Sequence, residues 1–89
     1  EWRGVKTCNL GVWRKDLIEV NGLDENYTGW GFEDSDLVIR LLRSGISRLD
    51  GRFALPVIHL WHQVQSREQA SENFAKLSAI QNEDRIKAI

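Results

Sequence analysis

Residues 34–44 restrict the fold of this 89-residue chain more than any other stretch. Leu37, Val38, Leu41 and Leu42 recur at helical spacing and form one apolar stripe, with Arg40 and Arg43 on the opposite side. Gly45 follows where a helix ends in a left-handed turn. A helix of three turns is held mainly by what packs on its apolar face, so the other segments have to be arranged around this one. Hydrophobic residues make up 42% of the chain, including four Trp and three Phe. That is enough for one modest core, and the length is too small for two.

The flanking patterns predict short elements. Residues 7–13 alternate Cys8, Leu10 and Val12 with Asn9 and Gly11, as a half-buried strand does. Residues 14–20 carry Leu17 and Ile18 on one face of a helix, which Asn21-Gly22 stops. Residues 24–32 are polar, Gly-rich and aromatic, and form a loop. Residues 46–49 and 52–55 flank Asp50-Gly51, a strong hairpin signal, and Pro56 starts a further extended stretch to Leu60. Ser66 and Gln69 have capping-box spacing, ahead of a helix with Ala70, Phe74 and Leu77 on one face. Residues 81–89 are polar enough to fray. The expected fold class is α/β, or α+β for an isolated piece, with about three helices and a few short strands. Residues 1–89 form a single domain or fragment.

Composition removes several classes of function. Twelve basic residues against thirteen acidic ones leave no electrostatic footprint for nucleic acid. No apolar run approaches the roughly 20 residues that span a bilayer. No Gly-x-Gly-x-x-Gly or Walker sequence occurs, so a dinucleotide-type phosphate loop is not expected. Cys8 is the single cysteine, read as a small buried apolar residue. One cysteine allows no internal disulfide, which points to a reducing compartment: the cytoplasm, or the cytoplasmic face of a membrane.

Charge is unevenly spread. Residues 24–36 hold Asp24, Glu25, Glu33, Asp34 and Asp36 with no Lys or Arg. The end of this stretch reads Gly29-Trp30-Gly31-Phe32-Glu33-Asp34-Ser35-Asp36. Two glycines permit backbone angles closed to other residues and can hold Trp30 outward, where an indole suits the apolar face of a sugar ring. Acids in the first turn of a helix sit in the positive field of its N-terminus and stay ionised. An ionised carboxylate aimed at a hydroxyl can act as a general base. The same letters also permit a plainer reading, with Asp34 or Ser35 as an N-cap and Trp30 in the core.

From Cys8 to His62 the chain resembles the C-terminal half of the catalytic domain of family 2 glycosyltransferases. It is also similar to galactosyltransferases, whose acceptor loop reads Trp-Gly-Gly-Glu-Asp followed by further acids. Asn9-Leu10-Gly11 and Trp13-Arg14-Lys15-Asp16-Leu17 resemble the family's strand-to-helix entry. Asn21-Gly22-Leu23-Asp24-Glu25 resembles its Gly-Phe-Asp-Glu turn, with Leu23 for Phe. The resemblance implies a GT-A nucleotide-sugar transferase fold, with Asp34 as catalytic base. It implies Glu33, Trp30, Ser35 and Asp36 in the acceptor site. Phe32 replaces the family's second glycine, and Ser35 replaces an acid.

His59-Leu60-Trp61-His62 allows two readings, structural histidines or a single metal ligand, since i and i+3 point to opposite faces of a strand. The resemblance implies His62, then His59, as a ligand to Mn²⁺ or Mg²⁺. The other ligands would come from an Asp-x-Asp motif that is expected upstream with a donor-binding half. Arg67 is read as a solvated side chain or as a weak candidate for a donor phosphate. The expected partners are a nucleotide-sugar donor and a glycan acceptor, with self-association through an apolar face. The alternatives are a non-catalytic carbohydrate-binding module and a small metal-stabilised domain.

Overall fold

The structure, a computed structural model, describes residues 2–6, 9–49, 51, 57, 58, 60–63 and 66–88. The expected buried Cys8, the turn at Asp50, residues 52–55, Pro56 and His59 lie outside them. Among the described residues there are three helices: α1 Arg14–Glu19, α2 Glu33–Arg43 and α3 Ala70–Gln81. None is long and apolar enough to cross a membrane.

The first two helices stop by the same device. After α1, Asn21 takes a left-handed φ of 63°, and the Gly22 and Asn21 N–H groups donate to the carbonyls of Leu17 and Ile18. After α2, Gly45 has φ 96°, and the N–H groups of Ile46 and Gly45 donate to Leu41 and Leu42. Both are Schellman ends, in which carbonyls left over by the helix find donors in the chain that leaves it. Ile46 then packs on the cluster that contains Leu41.

α2 lies at the centre of the molecule. Val20, Leu37 and Leu41 form one buried cluster, joined by Leu10, Leu17 and Ile46. Ile39 belongs to a second, with Leu77 and Ile80 of α3, against which Trp2 and Phe32 pack. With clusters on two faces, six consecutive residues from Asp36 to Leu41 are buried.

This corrects the amphipathic reading in one respect. Arg40 does not face solvent; it is 0% exposed. Its Nε donates to Asp36 Oδ1 at 2.6 Å and its NH1 to the Val20 carbonyl at 2.7 Å. The i,i+4 spacing lets the two charges neutralise each other on one helix face, so the pair can be enclosed.

Two other expectations change. Ser66 and Gln69 do not form a capping box. Ser66 Oγ accepts the Glu68 N–H at 3.3 Å, and Gln69 stands at the N-cap of α3 without a side-chain cap bond. Its Cβ and Cγ lie against Gly29 instead. Nor does the C-terminal segment fray over its described length. Ala88 N–H donates to the Val20 carbonyl at 2.9 Å, and Asn21 Nδ2 donates to the Ala88 carbonyl at 3.0 Å. Arg43 NH2 donates to the Ile80 carbonyl at the end of α3 at 2.8 Å. The segment is held because its backbone groups pair with Val20, Asn21 and Arg43, partners invisible to a composition argument.

Candidate active site

The acid-bearing loop is shaped by left-handed backbone at Gly29 (φ 68°), Gly31 (φ 110°) and Phe32 (φ 73°). The glycines reach such angles without strain. Phe32 does not, and a left-handed φ at an ordinary residue costs about 1–2 kcal/mol. Its ring offsets this by packing edge-on to Phe74 of α3 at 5.3 Å and to Trp30 at 6.1 Å. The position where the resembling family has glycine is thus one that needs a glycine-like angle. Phe32, not Asp34 or Ser35, is the N-cap of α2, and no side chain caps the helix.

Asn73 fastens the loop to α3. It is fully buried. Its Nδ2 donates to the carbonyls of Thr28 and Trp30 at 2.7 and 3.1 Å, and its Oδ1 accepts the Thr28 N–H at 3.4 Å. The side-chain amide thereby pairs with the loop as a neighbouring strand would. The approach is close: a Cβ on Gly29 would stand 3.0 Å from Gln69 Cγ and 3.1 Å from its Cβ. Gly29→Ala is therefore expected to destabilise the chain by about 1–2 kcal/mol, from the φ penalty and this contact together. Thermal melting checks it, and an unchanged midpoint would count against the described loop path.

Trp30 is only partly exposed. One face of its indole lies under the Arg67 guanidinium, 4.1 Å from the ring centroid, a cation–π stack. The expectation of an outward, open indole therefore needs amending, and Arg67 joins the site from the segment before α3. Glu33, Asp34 and Ser35 follow on the first turn of α2, each half-buried with some surface left to solvent. Asp34 Oδ1 accepts the Ser35 N–H at 2.8 Å, one of the donors that a helix start leaves without a partner.

Asp36 is different in kind. It is 0% exposed. Besides Arg40, it accepts the Tyr27 hydroxyl at 2.8 Å, and Arg85 NH2 lies 3.8 Å away. Arg85 also reaches Asp24 at 3.4 Å. Burial, then the hydrogen bond to Asp36 and the charges of Asp36 and Asp24, push the Tyr27 phenol well above its ordinary pKa, so it stays a donor. An acceptor contact by Asp36, as the resemblance implied, does not fit this enclosure; the carboxylate ties loop, helix and C-terminal segment together.

His62 is exposed, with Nδ1 2.9 Å from the Gln63 carbonyl oxygen. Among the described residues no three His, Cys, Asp or Glu side chains come together to hold a metal ion. These residues alone do not fit a Mn²⁺ or Mg²⁺ site. Outside the acid-bearing loop, a groove of about 430 Å³ is lined by Val5, Leu10, Val12, Trp13, Val38 and Leu41, among others.

Asn73 and Tyr27 were not singled out from sequence; with Arg40 and Arg85 they are structural supports of the loop. Asn73 had a usable signal, since it shares a helix face with Leu77 and Ile80 by i+4 and i+7 spacing.

The family profile described as the N-terminal domain of galactosyltransferase matches residues 1–55, and the chain belongs to that family. Chondroitin sulfate synthase 3 of Homo sapiens is 32% identical over 63 residues, 71% of this chain and 7% of its own length. The uncharacterized glycosyltransferase YfnE of Bacillus subtilis is 41% identical over 46 residues, 52% of this chain and 12% of its own. Validoxylamine A glucosyltransferase of Streptomyces hygroscopicus is 42% identical over 45 residues, 51% of this chain and 11% of its own. The chain thus spans a small part of the length of the relatives it matches. No solved structure matches it. The matched profile takes in α1, the loop and α2, while Arg67, Asn73 and Arg85 lie beyond it.

Proposed function

We propose that this chain is the acceptor side of an inverting GT-A-type glycosyltransferase, in which Asp34 is the base. The observation that carries this reading is the division of labour among three acids on one helical turn. Asp36 is locked inside by Arg40 and Tyr27, while Glu33 and Asp34 keep some surface. A carboxylate that is only half-buried and set in the positive field of a helix start suits proton abstraction from a hydroxyl. Family membership and relatives that include a glucosyltransferase and a chondroitin sulfate synthase support sugar transfer as the activity.

In the proposed reaction the acceptor hydroxyl gives its proton to Asp34. Its oxygen bonds to the anomeric carbon as the bond from that carbon to the nucleoside diphosphate breaks. The diphosphate leaves with the electron pair, and a single displacement inverts the anomeric centre. Trp30, Glu33 and Ser35 hold the acceptor. A divalent cation would stabilise the leaving diphosphate; here His62 supplies at most one ligand, and no step above depends on it.

The test is sugar transfer from nucleotide-sugar donors by the longer protein that carries this chain, with Asp34→Asn alongside. The 89-residue chain alone is expected to transfer nothing and to self-associate through the apolar groove at Trp13. Donor turnover by the purified chain, or a strictly monomeric sedimentation profile at high concentration, would contradict these two expectations.

A further inference from the structure

We infer that Trp30 and Arg67 together form an acceptor subsite that prefers a sugar bearing a carboxylate over a neutral one. The inference rests on the acceptor reading above and adds the substrate class. Arg67 is exposed, yet its guanidinium is not adrift: its central carbon lies over the Trp30 indole, 4.1 Å from the ring centroid. Among the described residues no carboxylate forms an ion pair with it, although Arg40 and Arg85 of the same protein are both paired to acids. A cation–π contact of this kind uses the charge of the guanidinium and does not consume its N–H donors. The guanidinium fork is matched to the two oxygens of a carboxylate, and its contact with the indole already restricts the side chain. Trp30 itself is fixed by the Asn73 bond to its carbonyl and by Phe32 against its edge. The fork therefore stands at a defined place relative to Asp34, four residues along the chain on the first turn of α2.

This geometry separates Arg67 from the donor-phosphate role. A phosphate-binding arginine could stand anywhere near the leaving group, whereas one stacked on the acceptor-loop indole moves with that loop. A sugar ring at this subsite places its apolar edge by Trp30 and its acid group on Arg67. Neutral sugars keep the first contact and lack the second.

The test is titration of the ¹⁵N-labelled 89-residue chain with methyl β-glucuronide, methyl β-glucoside and uridine diphosphate, following the Trp30 indole N–H and the Arg67 Nε–H. The glucuronide is expected to bind about tenfold more tightly than the glucoside, as a charge-assisted bidentate contact would give. Arg67→Ala should abolish that preference while the weaker glucoside binding remains. Arg67→Lys, which keeps the charge and loses the fork, should restore only part of it. Equal affinities for the two glycosides, or no shift at either reporter, would overturn the subsite. Uridine diphosphate shifting both reporters more strongly than the glucuronide would return Arg67 to the donor and also overturn it. These outcomes are separate from the catalytic reading, which stands or falls on Asp34→Asn turnover.

Discussion

Asp34→Asn in the longer enzyme is expected to lower turnover by about 10²–10⁴-fold, the usual worth of a positioned general base, with the fold intact. An amide is nearly the same shape as the carboxylate, and its oxygen can still accept the Ser35 N–H that Asp34 Oδ1 accepts at 2.8 Å. It cannot take up the proton of an acceptor hydroxyl. The loss should therefore fall on kcat, with KM for the acceptor changed little, because Trp30, Glu33 and Ser35 are left in place. Initial-rate kinetics and a thermal melt of the same preparation decide the matter. Near-normal turnover in a folded variant would remove Asp34 from the base role.

The second large effect concerns stability. Arg40→Leu is expected to destabilise the chain by about 3–5 kcal/mol, because it leaves the Asp36 carboxylate charged in an enclosed place. Tyr27 would still donate to it, but Arg85 at 3.8 Å is too distant to replace a 2.6 Å contact. Against a total stability of about 5–15 kcal/mol for a domain, that is a major part. Replacing both partners, Asp36→Leu with Arg40→Leu, should recover much of the loss, since the net worth of an enclosed ion pair is small once both desolvation costs are removed. Recovery stays incomplete, because the Tyr27 hydroxyl loses its partner and the Val20 carbonyl keeps only the Ala88 N–H. Urea unfolding of the two variants measures this. A single variant that costs under about 1 kcal/mol would mean that the pair carries little of the fold.

The two predictions divide along a line that the letters alone do not draw. Asp34 and Asp36 are both acids in the first turn of one helix, and charge and spacing treat them alike. What separates them is the body of the protein. Asp36 points at Arg40 and Tyr27 in the interior, whereas Asp34 is only half-buried. Sequence spacing placed both on the helix, and the resemblance carried both to the acceptor site. Only the packing divides them.

What the sequence determined by itself was local or motif-borne. α2 lies within one residue of its expected bounds at both ends, because its apolar spacing and the Gly45 stop act within the segment itself. The end of α1 at Asn21-Gly22 is legible for the same reason: the left-handed turn is made from adjacent residues. The Gly-Trp-Gly loop into Glu33 and Asp34 pointed to the glycosyltransferase relationship that the family match bears out.

What only the tertiary structure decided comes from partners far along the chain. Arg40 is inside, although a periodicity argument assigns any charge to the water side, because pairing to Asp36 cancels the charge that the argument counts. Phe32 sits at a left-handed angle because Phe74 holds its ring, and Asn73 threads the loop to α3. The Gly29 loop admits α3 only because it lacks a side chain, and Arg67 lies on Trp30 because the segment before α3 passes over it. Each of these depends on where α3 packs against α2, and that is a property of the closed core.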